Sequence, residues 1–209
     1  MLKKTYLFLI ATFTVLALFV RNSSYFGFDL VITHWIQSIQ IPGFDLVMLF
    51  ISKLGDPFWG SILVLFFVSV AAAANKWQTA LMIAATASSM VFLNQILKLL
   101  INRPRPDPAL VHVVGIFKKS DSFPSGHVMF YVGLYGFLFF IVYTQFRKNR
   151  WLRAALISLL AALIGLIGVS RIYLGVHWFS DVLGAYILGL SWLIVMIWVY
   201  AKISSRALK

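Results

Sequence analysis

Six stretches of this chain are apolar for long enough to cross about 30 Å of hydrocarbon at 1.5 Å per residue. They run from Thr5 to Val20, Phe58 to Ala74, Trp77 to Leu100, Val128 to Phe146, Leu152 to Val169 and Val182 to Ala201. The first follows Lys3 and Lys4 as a signal peptide would, but no small-x-small cleavage site occurs before Arg21, so it reads as a span. Between the first two spans, Phe28, Val31, Ile32, Trp35, Ile36 and Ile39 recur at helical spacing while Asp29, Thr33, Gln37 and Gln40 fall elsewhere. That pattern predicts an amphipathic helix, lying either in the membrane interface or as an ordinary packed helix over the bundle. The expected fold is therefore all-α: a polytopic membrane protein with six transmembrane helices and an interfacial helix between the first two. Residues 1–209 form a single integral-membrane domain, with no soluble domain, sustained repeat or low-complexity tract.

Composition agrees: 61% of the 209 residues are hydrophobic and 11% charged, with a mean hydropathy of +0.91. A water-soluble domain of this length is far less apolar. Eighteen Lys and Arg against six Asp and no Glu give a net charge of +12, which suits either nucleic-acid binding or the basic cytoplasmic loops of a membrane protein. Position decides. Lys3, Lys4, Lys76, Arg147, Lys148, Arg150, Arg153, Lys202, Arg206 and Lys209 all fall on one side of the spans, which should be cytoplasmic together with both termini. No nucleic-acid partner is expected; the bilayer is the partner. The other side holds Arg21, Lys53, Lys98, Arg103, Arg105, Lys118, Lys119 and Arg171 with all six aspartates, and its unbalanced basic loop needs a functional reason. Trp59, Trp77, Trp151 and Trp178 lie near span ends and read as interfacial anchors. Ala84, Ala85, Ala87, Ser88, Gly165 and Gly168 suit close helix packing. The absence of cysteine removes disulfides, thiolate metal sites and a thiol nucleophile.

Three polar patches interrupt the apolar chain, and this topology sends all three to the outer face. The first runs from Lys98 through Arg103, Pro104, Arg105 and Pro106. A lone Lys near a helix end can simply snorkel, but the two prolines stop the helix and hold the arginine between them extended, ready to address a phosphate with paired donors. The second is Phe123-Pro124-Ser125-Gly126-His127. Ser125 reads as an N-cap, and Gly126 lets backbone N–H groups approach an anion at the positive end of a helix, with His127 facing it. The third is Ser170-Arg171 followed by His177 and Asp181. Four residues apart, His177 and Asp181 would stack on one helix face, where the carboxylate accepts the Nδ1 proton and leaves Nε2 nucleophilic. A metal site is the weaker reading, since no third ligand stands at a spacing typical of zinc. Which histidine is the nucleophile stays open on residue types alone, although only His177 has an aspartate one turn away.

Lys98 with six residues before Arg105-Pro106, then Pro124-Ser125-Gly126-His127, then Ser170-Arg171 with five residues before His177 and three before Asp181, resemble the three signature motifs of the type 2 phosphatidic acid phosphatase family. The resemblance, to the bacterial membrane lipid phosphatase branch, implies an enzyme that removes phosphate from a lipid at the outer face of a bacterial inner membrane, without cofactor or metal. It implies that His177 attacks phosphorus to form a phosphohistidine while Asp181 orients its ring. His127 would protonate the leaving oxygen and then activate water. Lys98, Arg105, Arg171, Ser125 and the Gly126 amide would hold the non-bridging oxygens. Arg105 rather than Arg103 fits the spacing, leaving Arg103 a supporting role.

Three alternatives compete with hydrolysis. A flippase or channel would use the basic cluster without chemistry, but gives no reason for His127 or for the His177 and Asp181 pair. A related phosphotransferase would pass the phosphoryl group to another lipid. The vanadate-dependent haloperoxidases share the anion pocket, but they are soluble. The expected substrate is a membrane lipid phosphate, with phosphatidylglycerol phosphate, phosphatidic acid and undecaprenyl diphosphate all compatible with the motifs. His34 and His112 match no motif and read as interfacial or loop residues. Lys118 and Lys119 read as solvated loop charges that can attract anionic headgroups.

Overall fold

The structure, a computed structural model, describes residues 2–115 and 121–206. Among them every regular element is helical: α1 Leu2–Arg21, α2 Gly27–Gln37, α3 Phe44–Lys53, α4 Pro57–Ala73, α5 Trp77–Ile101, α6 Gly126–Gln145, α7 Arg150–Tyr173 and α8 Phe179–Arg206. The boundaries follow local chemistry. Pro57 opens α4, where its missing N–H costs nothing. Asn149 caps α7 by accepting the N–H groups of Trp151 and Leu152 at 3.0 and 3.1 Å. Asn102, in the left-handed region at φ 51°, ends α5 just before Arg103 and Pro104.

Five helices, α1, α5, α6, α7 and α8, are individually long and apolar enough to span a bilayer. The sixth span expected from sequence is α4, 17 residues long, which reaches spanning length together with α3; the two are bent by 63° at the intervening break. Helix α3 itself was not expected. It makes an elbow with α4, and that elbow turns out to carry site residues.

Helix α6 is the axis of the bundle. Its residues from Val128 to Leu138 are all buried, enclosed by α5, α7 and α8, while α1 packs on α8 and α3 on α7. Outward faces are apolar: Phe8 and Phe19 of α1, Phe66 of α4 and Leu99 of α5 are all exposed, as lipid contact requires.

Helix α2 corrects the simple amphipathic reading. Asp29 and Thr33 are fully buried, whereas Val31 and Trp35 are 68% and 71% exposed. The inward edge is mixed, with Ile36 buried beside Asp29 and Thr33, and the two polar groups are turned inward, where both find hydrogen-bond partners. Trp178 is a second correction. It is 1% exposed and stacks on Tyr25 at 5.2 Å, so it is a core residue rather than an anchor, whereas Trp59, Trp77 and Trp151 are exposed. Of the small residues, Ala87 is buried and Gly168 lies against Val182 and Tyr186 with no room for a Cβ. A Cβ at Gly165 would meet nothing, so close packing does not explain that glycine.

Candidate active site

At the end of α7 the chain leaves the helix through Gly175 at φ +67°, the left-handed region that favours glycine. The Arg171 carbonyl accepts the N–H groups of both Val176 and His177 at 3.3 Å, and the Val114 N–H donates to the Leu174 carbonyl at 3.1 Å. The turn is thus tied to α7 on one side and to the loop after α5 on the other. His177 sits in this turn, 1% exposed, and α8 begins only at Phe179. The expected stacking of His177 and Asp181 on one helix face is therefore replaced by a loop histidine facing a carboxylate in the first turn of α8.

Asp181 is held from several directions. Its Oδ2 accepts the Trp178 N–H at 2.8 Å and the Ser122 hydroxyl, and its Oδ1 accepts Arg103 at 2.5 Å. The His177 Nδ1 lies 3.5 Å from Asp181 Oδ2 and 3.4 Å from Ser122 Oγ. Both distances are at the long limit for a hydrogen bond, and contacts of this kind tighten as a catalytic imidazole gains charge. Nδ1 is thereby committed to this cluster, and Nε2 is the nitrogen left for chemistry.

Behind the pair stands a buried ion network. Arg103, 1% exposed, bridges Asp181 and Asp29, the latter at 3.0 Å. It also donates to Ser180 Oγ at 2.8 Å and to the carbonyls of Ser23 and Ser24 at 3.3 and 3.2 Å. Asp29 in turn accepts the Ser180 N–H and hydroxyl, both at 2.8 Å, and the Phe26 N–H at 3.0 Å. Two buried carboxylates and one guanidinium are thus each hydrogen-bonded several times over, the condition under which buried charge is tolerated.

The remaining cations of the first and third patches converge on the same turn. Arg105 donates to the carbonyl of Val176, next to His177, at 3.0 Å, Lys98 donates to the Asp121 carbonyl, and Arg171 donates to Ser52 Oγ on α3. Burial is the main cause holding the His177 imidazole well below its ordinary pKa, with the charges of Arg105, Arg171 and Lys98 and the neighbouring His127 adding to it. His177 is therefore neutral at physiological pH. Burial also lowers the Arg105 pKa from its ordinary value, against the opposing pull of Asp181 and Asp121. Such a concentration of positive charge calls for an anion.

The stretch from Ser122 to His127 supplies the floor. The Ser122 N–H donates to the Arg103 carbonyl at 2.8 Å and the Ser125 N–H to the Asp181 carbonyl at 3.2 Å, so the first, second and third patches are joined by backbone bonds. Asn94 of α5 donates to the Pro124 carbonyl at 2.9 Å. A Cβ on Gly126 would come within 2.9 Å of Asn94 Oδ1, which explains the glycine by close approach. Ser125 occupies the N-cap position of α6, but its side chain makes no capping bond. Its buried Oγ has no hydrogen-bond partner among the described residues, as a hydroxyl reserved for a ligand would have none.

His127 has a partner that sequence reasoning missed: its Nε2 lies 3.0 Å from Oδ1 of Asp56, in the elbow between α3 and α4. Asp29, Ser52, Asn94 and Ser122 were missed as well. The available signals were weak, namely a polar residue on an apolar helix for Asp29, and Asp56 before Pro57 as a helix start. His34 and His112 stay outside the site; His34 contacts the Leu110 carbonyl at 2.8 Å and the His112 N–H donates to Gln37 at 3.1 Å, joining α2 to the loop after α5. Lys118 and Lys119 lie outside the described residues. Among the described residues no three His or Asp side chains are grouped so as to hold a metal ion.

Residues 76–205 match the family model of the PAP2 superfamily. Phosphatidylglycerophosphatase B of Bacillus subtilis (strain 168) is 33% identical over 183 residues, covering 85% of this chain and 86% of that protein. The fold is similar to the crystal structure of a transmembrane PAP2 type phosphatidylglycerolphosphate phosphatase from Bacillus subtilis, with a TM-score of 0.81 and 27% identity over 95% of this chain and 97% of that one. The crystal structure of Aquifex aeolicus LpxE matches with a TM-score of 0.59 and 24% identity over 82% of this chain and 96% of that one, a likeness of fold alone.

Proposed function

Because the chain belongs to the PAP2 superfamily and is a membrane lipid phosphatase of that type, we propose that its substrate is a lipid phosphomonoester of the phosphatidylglycerol phosphate kind, hydrolysed through a phosphohistidine on His177. The observation that carries this reading is the turn at His177: a buried, neutral imidazole, backed at Nδ1 by Asp181 and Ser122, among the charges of Lys98, Arg105 and Arg171. The substrate class follows the relative that shares 33% identity over most of both chains.

The geometry supports a two-step displacement. In the first step the lone pair of His177 Nε2 forms a bond to phosphorus as the bond to the lipid oxygen breaks, and Asp181 and Ser122 stabilise the imidazolium that results. His127 gives a proton to the departing oxygen, which leaves as the lipid alcohol. Lys98, Arg105, Arg171, the Ser125 hydroxyl and the Gly126 N–H hold the three non-bridging oxygens, where fixed donors are worth more than water because they need no reorganisation. In the second step water attacks phosphorus, its proton passes to His127, the P–N bond breaks and inorganic phosphate is released. Charge is managed by side-chain cations throughout, so no metal ion is required.

The reading extends to topology. Both termini and the basic turns at Lys76 and at Arg147 to Arg153 belong in the cytoplasm, and the site belongs at the outer face, on the strength of charge asymmetry.

Purified protein assayed for free phosphate against phosphatidylglycerol phosphate, phosphatidic acid and undecaprenyl diphosphate should show the highest kcat/KM on the first. Activity should survive EDTA and be blocked by orthovanadate, which mimics five-coordinate phosphorus at His177. Phosphate moved to a second lipid without release would defeat hydrolysis, and loss on chelation restored by a divalent ion would defeat the side-chain mechanism.

A further inference from the structure

The three polar patches leave one feature of the site unaccounted for, the elbow where α3 meets α4. Ser52 at the end of α3 accepts a hydrogen bond from Arg171, and Tyr131, one turn beyond His127 on α6, donates to the Ile51 carbonyl. Gly55 in the break packs closely against the His127 ring, where a Cβ would come within 2.8 Å of Cδ2. Asp56 then reaches the Nε2 of His127 at 3.0 Å. Each of these contacts crosses from the elbow to α6 or α7, so the elbow meets the acid-base histidine at two places, Cδ2 and the ring nitrogen Nε2.

We propose that Asp56 is a positioning residue for His127, fixing Nε2–H and leaving Nδ1 as the nitrogen that delivers a proton to the leaving oxygen and later takes one from water. A carboxylate on one ring nitrogen sets the tautomer of a histidine and stabilises its cation. The need is evident from the surroundings. An imidazolium at position 127 must form close to Arg171, Arg105 and His177, and Asp56 is the carboxylate hydrogen-bonded to it. His127 carries the charge of the acid in the first step and of the protonated base after the second, so the benefit of Asp56 belongs to those moments. Asp56 does not cap α4 through its side chain, and its side chain is 50% exposed, so a role in folding does not account for it.

This inference rests on the phosphohistidine reading, and the experiment separates the two. Wild type, Asp56→Asn and Asp56→Glu are compared on a lipid phosphomonoester, whose alkoxide needs a proton to leave, and on an activated aryl phosphate, whose phenolate does not. Asn keeps the size and helix-start preference of Asp but not its charge. The loss in kcat/KM, which reports the first step alone, should be at least ~10-fold larger for Asp56→Asn on the lipid than on the aryl ester, within the range that general acid catalysis supplies, and Asp56→Glu should recover part of it. Equal losses on both substrates, no loss on either, or an Asp56→Glu no better than Asp56→Asn would overturn the positioning role. If His177→Ala still turns over the aryl phosphate normally, the phosphohistidine reading fails instead.

Discussion

His177 is neutral in the folded protein because burial and three neighbouring cations oppose its protonation, and that has a measurable consequence. The unfolded chain takes up this proton at about pH 6.5, the native protein only well below it. As pH falls through 6.5 the unfolded state therefore binds a proton that the native state does not, and stability drops by up to ~1.4 kcal/mol per pH unit until the native pKa is reached. Above 6.5 the residue contributes no pH dependence. Comparing thermal unfolding in detergent at pH 7.5 and 5.5, wild type should lose about 1 kcal/mol more than His177→Gln, which cannot titrate. Equal losses would show that His177 titrates alike in the native and unfolded states, so that burial and the neighbouring cations do not hold it neutral. The pairing of His177 with Asp181 was legible in the sequence through their spacing, but its environment was not. Ser122 and Arg103 reach Asp181 from 59 and 78 residues away, and such pairings are set by how helices pack rather than by any local pattern.

At the scale of elements, the spans and the turns between them were read well wherever an apolar run exceeded a membrane thickness, as for α5 to α8. What escaped was shorter. Helix α3 has only 10 residues, too few to count as a span. Helix α2 was found, but not which of its edges meets the bundle, because the pattern gives two faces without saying which meets lipid. These two helices bring Asp29 and Ser52 to the site. Asp56 follows in the elbow, and none of the three belongs to a recognised motif. The turn between α7 and α8 shows how tightly such connections are specified: Gly175 has φ +67° and a Cβ there would collide with the His112 carbonyl oxygen. Gly175→Ala should cost about 1–3 kcal/mol through backbone strain alone, and more through the collision. Because the displaced turn carries His177, kcat should fall together with the unfolding temperature. An alanine variant that kept wild-type stability and turnover would mean that the turn can relax away from the loop after α5.

The molecule as a whole places its two kinds of basic residue at opposite ends of the bundle. At one end Lys76, Gln145, Thr79 and Tyr200 are joined by hydrogen bonds of 2.7 to 3.2 Å, and Arg153 donates to the Tyr143 carbonyl at 2.6 Å. No aspartate lies among them. At the other end each basic residue of the site has aspartates or carbonyls around it, and the excess of charge is turned inward on one turn of chain. A cationic surface left uncompensated is what holds a loop in the cytoplasm during insertion, whereas compensated or inward-facing charge does not. Reporter enzymes fused after Leu110 and after Lys148 distinguish the two sides. Alkaline phosphatase, active only outside the cytoplasm, should be active at Leu110 and inactive at Lys148, with a cytoplasm-dependent reporter giving the opposite pattern. The reverse assignment would put the site on the cytoplasmic face, where its substrate would have to be the inner-leaflet lipid and the basic turns would face outward against the rule.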